Sequence, residues 1–505
     1  MNASRHSRAA GLHSPLRRTA AALLGLLMAA QAPAARAAEP HAVPEGLGSL
    51  GHAGSGLEVK RVTATGQGLA SIEGPFENSL NMEYLGQLTN AELGASPLAS
   101  TGATYLSDIW GWTSPRRPYH EYAIVGHNSG VAFARITDPR NPVFLGHIPT
   151  IDPDTQLNFW WDMKVFRDHV YFVSEVLGNG VGIFDLGRLD AMEGPPPDGT
   201  LAADARYTDQ GLLAAHNISI NEETGFAYLS GAVKDAAADP GFRPEGMVIL
   251  DLGGEPLAPQ EVGQVLGRDT HDAQVVCYRG PDQDHRVGGK RCREIAFVFN
   301  GSDRTLGIYN VSRKRVIDVS EDTSITLSET TYAGASFTSQ GWLTDDHAFL
   351  VMGDEADEIL SLMDPLDPDL PATARTYVWN LQDLDAPMMA SRFDSPAASI
   401  DHNLYVRTDL ASGREFVYQA NYTAGIRVTE LQRFGAPGAG QIAELAEVAH
   451  MDTERRLRAE IMTLNFNIFE GTWGVYPFFP RSDSIIASDG LNGLVIMRLD
   501  LPAGD

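Results

Sequence analysis

The chain has 505 residues, 43% of them hydrophobic, enough to bury a large core, and a formal net charge of -27. An acidic surface of that size excludes nucleic acid and anionic membrane as natural partners, because both would repel it. The 50 Gly and 29 Pro lie along the whole chain, which suits many short strands joined by turns.

Residues 1–37 read as a secretory signal peptide. Arg5, Arg8, Arg17 and Arg18 form a basic start, Ala20 to Ala30 a short apolar run, and Ala35-Arg36-Ala37 a small-x-small cleavage site. The apolar run is too short to be a membrane span. Cleavage near Ala37 removes five Arg and no acid, which takes the formal charge to -32. The expected location is periplasmic or extracellular, with no transmembrane segment and no C-terminal anchor. Residues 38–80 are rich in Gly and Ser and read as a flexible linker.

Over residues 81–505 one short phrase returns seven times: any residue, then Asp, Asn or Gly, then an apolar residue. The copies are Ser107-Asp108-Ile109, Trp161-Asp162-Met163, His216-Asn217-Ile218, His271-Asp272-Ala273, Gln340-Gly341-Trp342, His402-Asn403-Leu404 and Trp473-Gly474-Val475. Each copy starts a unit with further short aliphatic and aromatic strands, such as Val170–Val173 and Val248–Leu252. In the fifth unit the third strand is expected at Ile359–Met363. Units of roughly 40–70 residues with four strands predict an all-β fold, a seven-bladed β-propeller. The last unit lacks a fourth strand, whereas Glu83–Leu88 reads like the fourth strand Val143–Ile148 of the first unit. The N-terminal strand is therefore expected to complete the last blade and close the ring.

The two cysteines, Cys277 and Cys292, flank a Gly- and Pro-containing loop in the fourth unit. Export permits a disulfide there, and the spacing lacks the Cys-x-x-Cys pattern of a metal or redox pair.

These phrases together resemble the choice-of-anchor B family, exported proteins with LVIVD-type repeats. The resemblance rests on Asp108–Thr113, Thr270–Val275, Gln340–His347, Gly353-Asp354-Glu355, Asp401–Val406, Gln419–Gly425 and Gly474–Pro480. It covers roughly residues 80–500 and implies an exported propeller of largely unassigned function. At Ser339-Gln340 the chain departs from the family's more usual Ser-His-Gln run.

In a propeller the start of each inner strand and the end of the second strand lie on one face. That face is expected to gather Trp161, His216, His271, Gln340, His402 and Trp473 with Glu175, Asn300, Asp354, Glu355, Asn421 and Asp489. One reading is a divalent metal (Zn, Cu, Fe or Ca) or a polar ligand held by His216, His271 and His402, with Asp108, Asp162 or Asp272 behind them. The other is architectural, since the Asp/Asn/Gly position occurs in all seven units, as backbone pairing between blades would require. Two functions follow. The chain is a binding module for a protein, glycan or small molecule, or it is a metal-dependent hydrolase or oxidase using the same histidines. A monomer is expected.

Other residues carry weaker signals. His347 is expected at the opposite end of its blade, His127 and His147 in solvated turns or strands, and Trp342 in packing. Asp364, Asp367 and Asp369 alternate with Pro and suit a turn better than a calcium site. No nucleophile elbow, Walker loop, His-Glu-x-x-His pair or dinucleotide fingerprint occurs.

Overall fold

The computed structural model describes residues 76, 78–97, 104–152, 159–239, 246–288, 291–357, 373–397, 399–453 and 470–502. The expected signal peptide, most of the linker, Ile359–Met363 and the Asp364, Asp367 and Asp369 run lie outside them.

Among the described residues, seven sheets of four or five strands are built in chain order, each starting from one copy of the repeated phrase. Blade 1 runs through Leu106–Thr113, Glu121–His127, Gly130–Arg135 and Val143–Pro149. Blade 2 begins at Trp161–Phe166, blade 3 at Asn217–Asn221, blade 4 at Thr270–Cys277, blade 5 at Thr338–Leu343, blade 6 at Leu404–Thr408 and blade 7 at Thr472–Tyr476. The middle strands are almost wholly buried, as Glu121–His127 and Glu294–Asn300 show. Their aliphatic and aromatic side chains fill the space between neighbouring blades.

Blade 7 is completed from the other end of the chain. Met82–Leu88 pairs antiparallel with Gly493–Leu499, in a register running from Met82 opposite Leu499 to Leu88 opposite Leu494. Ser79–Leu80 also pairs with the outer strand of blade 6, Ile442–Met451. The N-terminal stretch thus seals the ring at one blade and covers the outer edge of the next. Blade 3 gains a fifth strand, Val316–Asp318, which runs parallel to Gln260–Leu266. Cys277 and Cys292 are joined in a disulfide that closes the loop between the first two strands of blade 4.

Two strand expectations are corrected. The third strand of blade 5 is Arg375–Asn380, not Ile359–Met363; it pairs antiparallel with Phe349 to Gly353. Both segments are apolar enough for a strand, and the ladder partner selects between them. His127 is also not solvated. It is fully buried, with its ring 5.5 Å from that of His147. Burial, and then the His147 charge, push its pKa down to about 3.

The consequence for stability has a definite sign. An unfolded His takes up a proton near pH 6.5, whereas folded His127 does not until about pH 3. Stability is therefore full above pH 6.5 and falls as pH drops through that window, by roughly 2 kcal/mol at pH 5 from this group. Urea unfolding of His127→Gln should show a flatter loss between pH 6.5 and 5 than the parent. An unchanged slope would mean that His127 is not the acid-sensitive group.

Candidate functional site

The repeated phrase places two successive rings around the axis. The first holds the residue before the Asp/Asn/Gly position, at the mouth where inner strands begin. The second holds the Asp/Asn/Gly position itself.

The second ring ties neighbouring blades together. Asp162 Oδ2 accepts from Ile218 N of blade 3 at 2.7 Å. Asn217 Nδ2 donates to His271 O of blade 4 at 3.0 Å. Gln340 grips blade 6 twice, accepting from Leu404 N at 2.9 Å and donating to Leu404 O at 3.0 Å. In blade 5 the ring residue is therefore Gln340, and the expected alignment with Gly341 in that place is shifted by one. Thr338 faces Asp354 and Gly341 faces Met352, as Thr270 faces Asn300 and Ala273 faces Val298 in blade 4, so Gln340 corresponds to Asp272 and Ser339 stands at the mouth position. Gly474 fills the ring in blade 7 because a Cβ there would lie 2.2 Å from Asp108 Oδ1.

Behind the ring sits a buried charge cluster. Lys164 Nζ lies 2.5 Å from Asp162 Oδ1 and 3.8 Å from Asp108 Oδ2, and 4.5 Å from the Trp110 ring centre. Burial raises Asp108 well above the carboxylate range, with Lys164 opposing and Asp162 adding to the rise. Burial and the Asp162 charge raise Asp272 to about 7. Asp108, Asp162 and Asp272 thus share one ammonium.

At the mouth, three histidines are oriented alike. His216 Nδ1 meets Glu175 Oε1 at 2.7 Å, His271 Nδ1 donates to Ser339 O at 2.7 Å, and His402 Nδ1 donates to Trp473 O at 2.5 Å. Each Nδ1 is fixed by an oxygen acceptor, which leaves Nε2 as the working atom. His216 Nε2 and His271 Nε2 are 2.9 Å apart. His402 Nε2 stands 3.7 Å from Glu355 Oε1. Glu355 also accepts from Tyr422 Oη at 2.8 Å and from Ser339 Oγ at 3.0 Å.

Burial alone would lower the His216 pKa, but its bond to Glu175 and the carboxylate charge hold it above the ordinary value. Burial, and then the His216 charge, depress His271 to about 3. The pair therefore shares one proton, with His216 as donor and His271 as acceptor. Burial lowers His402, against the opposing Glu355 charge.

The other expected face residues divide. Trp473 packs its ring 5.0 Å from His402 and belongs to the mouth. Trp161 is buried at 2% exposure and packs on Phe172. Asp354 spends its oxygens on Ser336 N, Phe337 N and Tyr332 Oη, so it shapes the turn into blade 5. Asn300 and Asp489 are likewise buried and bonded within their own blades.

Among the described residues, one group of His, Cys, Asp or Glu ligand atoms lies within 4.8 Å of one another: Asp282, His285 and Asp385. That group can hold a metal. It sits on the disulfide-closed loop of blade 4 and the facing loop of blade 5, away from the axis, and nothing in the residue spacing marks it. His402 does not join His216 and His271 at that closeness.

No family model and no curated protein matches this chain. Among solved structures, two of a humanized mutant of the Chaetomium thermophilum Polycomb Repressive Complex 2 are similar. They show 7% and 8% identity and TM-scores of 0.51 and 0.49, and cover 83% of this chain and 97% of theirs. The β-propeller domain of Cps50 from Myceliophteria thermophila is similar at 10% identity with a TM-score of 0.40, covering 78% of this chain and 95% of that one. At such identities the likeness concerns the fold alone. Blade count, strand order and strand-exchange closure together make this chain a seven-bladed β-propeller.

Proposed function

We propose that the protein is an exported binding module, similar to the choice-of-anchor B proteins, with its ligand face at the histidine-bearing mouth. His216 and His271 would hold a divalent transition metal there, with His402 and Glu355 beside it. The observation that carries this reading is the fixing of all three Nδ1 atoms by oxygen acceptors, which directs Nε2 to a ligand.

The donors fit such an ion with a small adjustment. The 2.9 Å between the two Nε2 atoms is a proton-bridged spacing. A tetrahedral ion with bonds of about 2.0 Å needs roughly 3.3 Å, so the rings must part by a few tenths of an ångström. The ion replaces the shared proton, and uptake releases that proton. When bound, it supplies a Lewis-acid centre at the channel mouth.

The test is elemental analysis of the purified chain after dialysis against zinc or copper. About one equivalent is expected, falling at least tenfold in His216→Ala/His271→Ala. Equal metal content in the two proteins would overturn the assignment. One observation favours the enzymatic reading at the same mouth. Glu175 Oε2 is buried beside His216 and has no hydrogen-bond partner among the described residues, which leaves a carboxylate oxygen free to take a proton. On that reading Glu175→Gln keeps the metal and loses turnover in a substrate screen that detects activity in the parent.

A further inference from the structure

The opposite mouth of the channel holds a cavity of about 810 Å³, a size suited to a small organic ligand. Its aromatic wall is formed by Trp110, Trp112, Trp342, Tyr405, Tyr476 and Phe478. The rings brace one another edge to face, as with Trp110 on Tyr476 at 5.0 Å and Trp342 on Tyr405 at 4.9 Å. The wall is therefore preorganised.

The charges lining the cavity decide what it can take. Most are already engaged. Lys164 is paired with Asp162, and Asp168 with Arg116. Glu223 is paired with Arg279, whereas Arg167, over the Phe166 ring, has no carboxylate partner among the described residues. Gln274 and Gln340 are spent on the backbone of the next blade, at Leu343 N and at Leu404. Asp272 belongs with Asp108 and Asp162 to the cluster around Lys164, which leaves one carboxylate, Glu222 at the rim, with no hydrogen bond or ion pair among the described residues. Glu222 and Arg167 are thus the uncommitted charges, both at the exposed rim, and the interior they border is aromatic.

We infer that this cavity binds an organic cation, an ammonium carried on an apolar or aromatic body. Aromatic faces attract an ammonium through the ring quadrupole, and a carboxylate adds direct charge pairing. The formal charge of -27 favours the approach of cations over anions. The inference is independent of the metal reading, because the two mouths use different residues.

The experiment is titration of the full exported chain with benzyltrimethylammonium, benzyl alcohol and benzoate, read by calorimetry and by tryptophan fluorescence. Benzyltrimethylammonium should bind about tenfold or more tighter than benzyl alcohol, and benzoate weakest. Glu222→Gln, at the exposed rim, should weaken the cation several-fold and leave benzyl alcohol unchanged. Trp342→Phe should weaken it less than Trp342→Ala. His216→Ala/His271→Ala should not alter cation binding, which separates failure here from failure of the metal site. Equal affinity for all three probes, preference for benzoate, or no saturable cation binding would overturn the proposal.

Discussion

Deleting residues 81–89 should unfold the ring or bring it close to unfolding at room temperature. The deletion removes Met82–Leu88, the partner of Gly493–Leu499. Met82, Leu85 and Leu88 are buried at 0%, 5% and 8% exposure, and each contributes about 1.5–3 kcal/mol on burial. The loss, about 5 kcal/mol or more, is comparable to the whole stability of many proteins. It also leaves Gly493–Leu499 as a raw edge open to aggregation. A synthetic peptide covering 78–90, added in trans, should restore part of the thermal transition. An unchanged melting temperature would contradict closure by this strand.

Asp162→Ala should be the most damaging single change in the channel. Asp162 performs two tasks, pairing with Lys164 and accepting from Ile218 N of the next blade. Removing it leaves an ammonium buried at 8% exposure, with Asp108 3.8 Å away and Asp272 acting on it through its charge alone. Breaking a buried pair in this way costs about 3–5 kcal/mol, mostly through the stranded charge. Asp162→Ala/Lys164→Met should then recover most of the lost stability in urea, because the uncompensated charge is gone. A double variant no more stable than the single one would show that the bond to Ile218, not the charge, carries the effect.

Much of the architecture was legible because the ring position recurs at the start of every inner strand. What the residues did not reveal was register. In blade 5 the ladder aligns Gln340, not Gly341, with Asp272 of blade 4, so Gln340 acts where Gly341 was expected. Register depends on cross-strand pairing, and a single strand's sequence does not contain its partner. The same applies to Arg375–Asn380 and Ile359–Met363, two apolar runs between which only the ladder chooses.

The histidine mouth was readable from strand starts alone, since those ends share a face. The aromatic cavity was missed because Trp342 was assigned to packing. A period-two count would have found it. Two residues beyond each ring position stand Trp110, Lys164, Ser219, Gln274, Trp342, Tyr405 and Tyr476, and every one of them lines that cavity. The buried state of His127 was also invisible, because a strand end can face solvent or a neighbouring strand.

The most direct test of the metal assignment is cobalt(II) titration of the purified chain, followed by its visible absorption. One ion per chain is predicted, with a spectrum of nitrogen coordination that disappears in His216→Ala/His271→Ala and persists in His285→Ala. A spectrum that persists in the double variant and disappears in His285→Ala would contradict the account, and would move the metal to Asp282, His285 and Asp385.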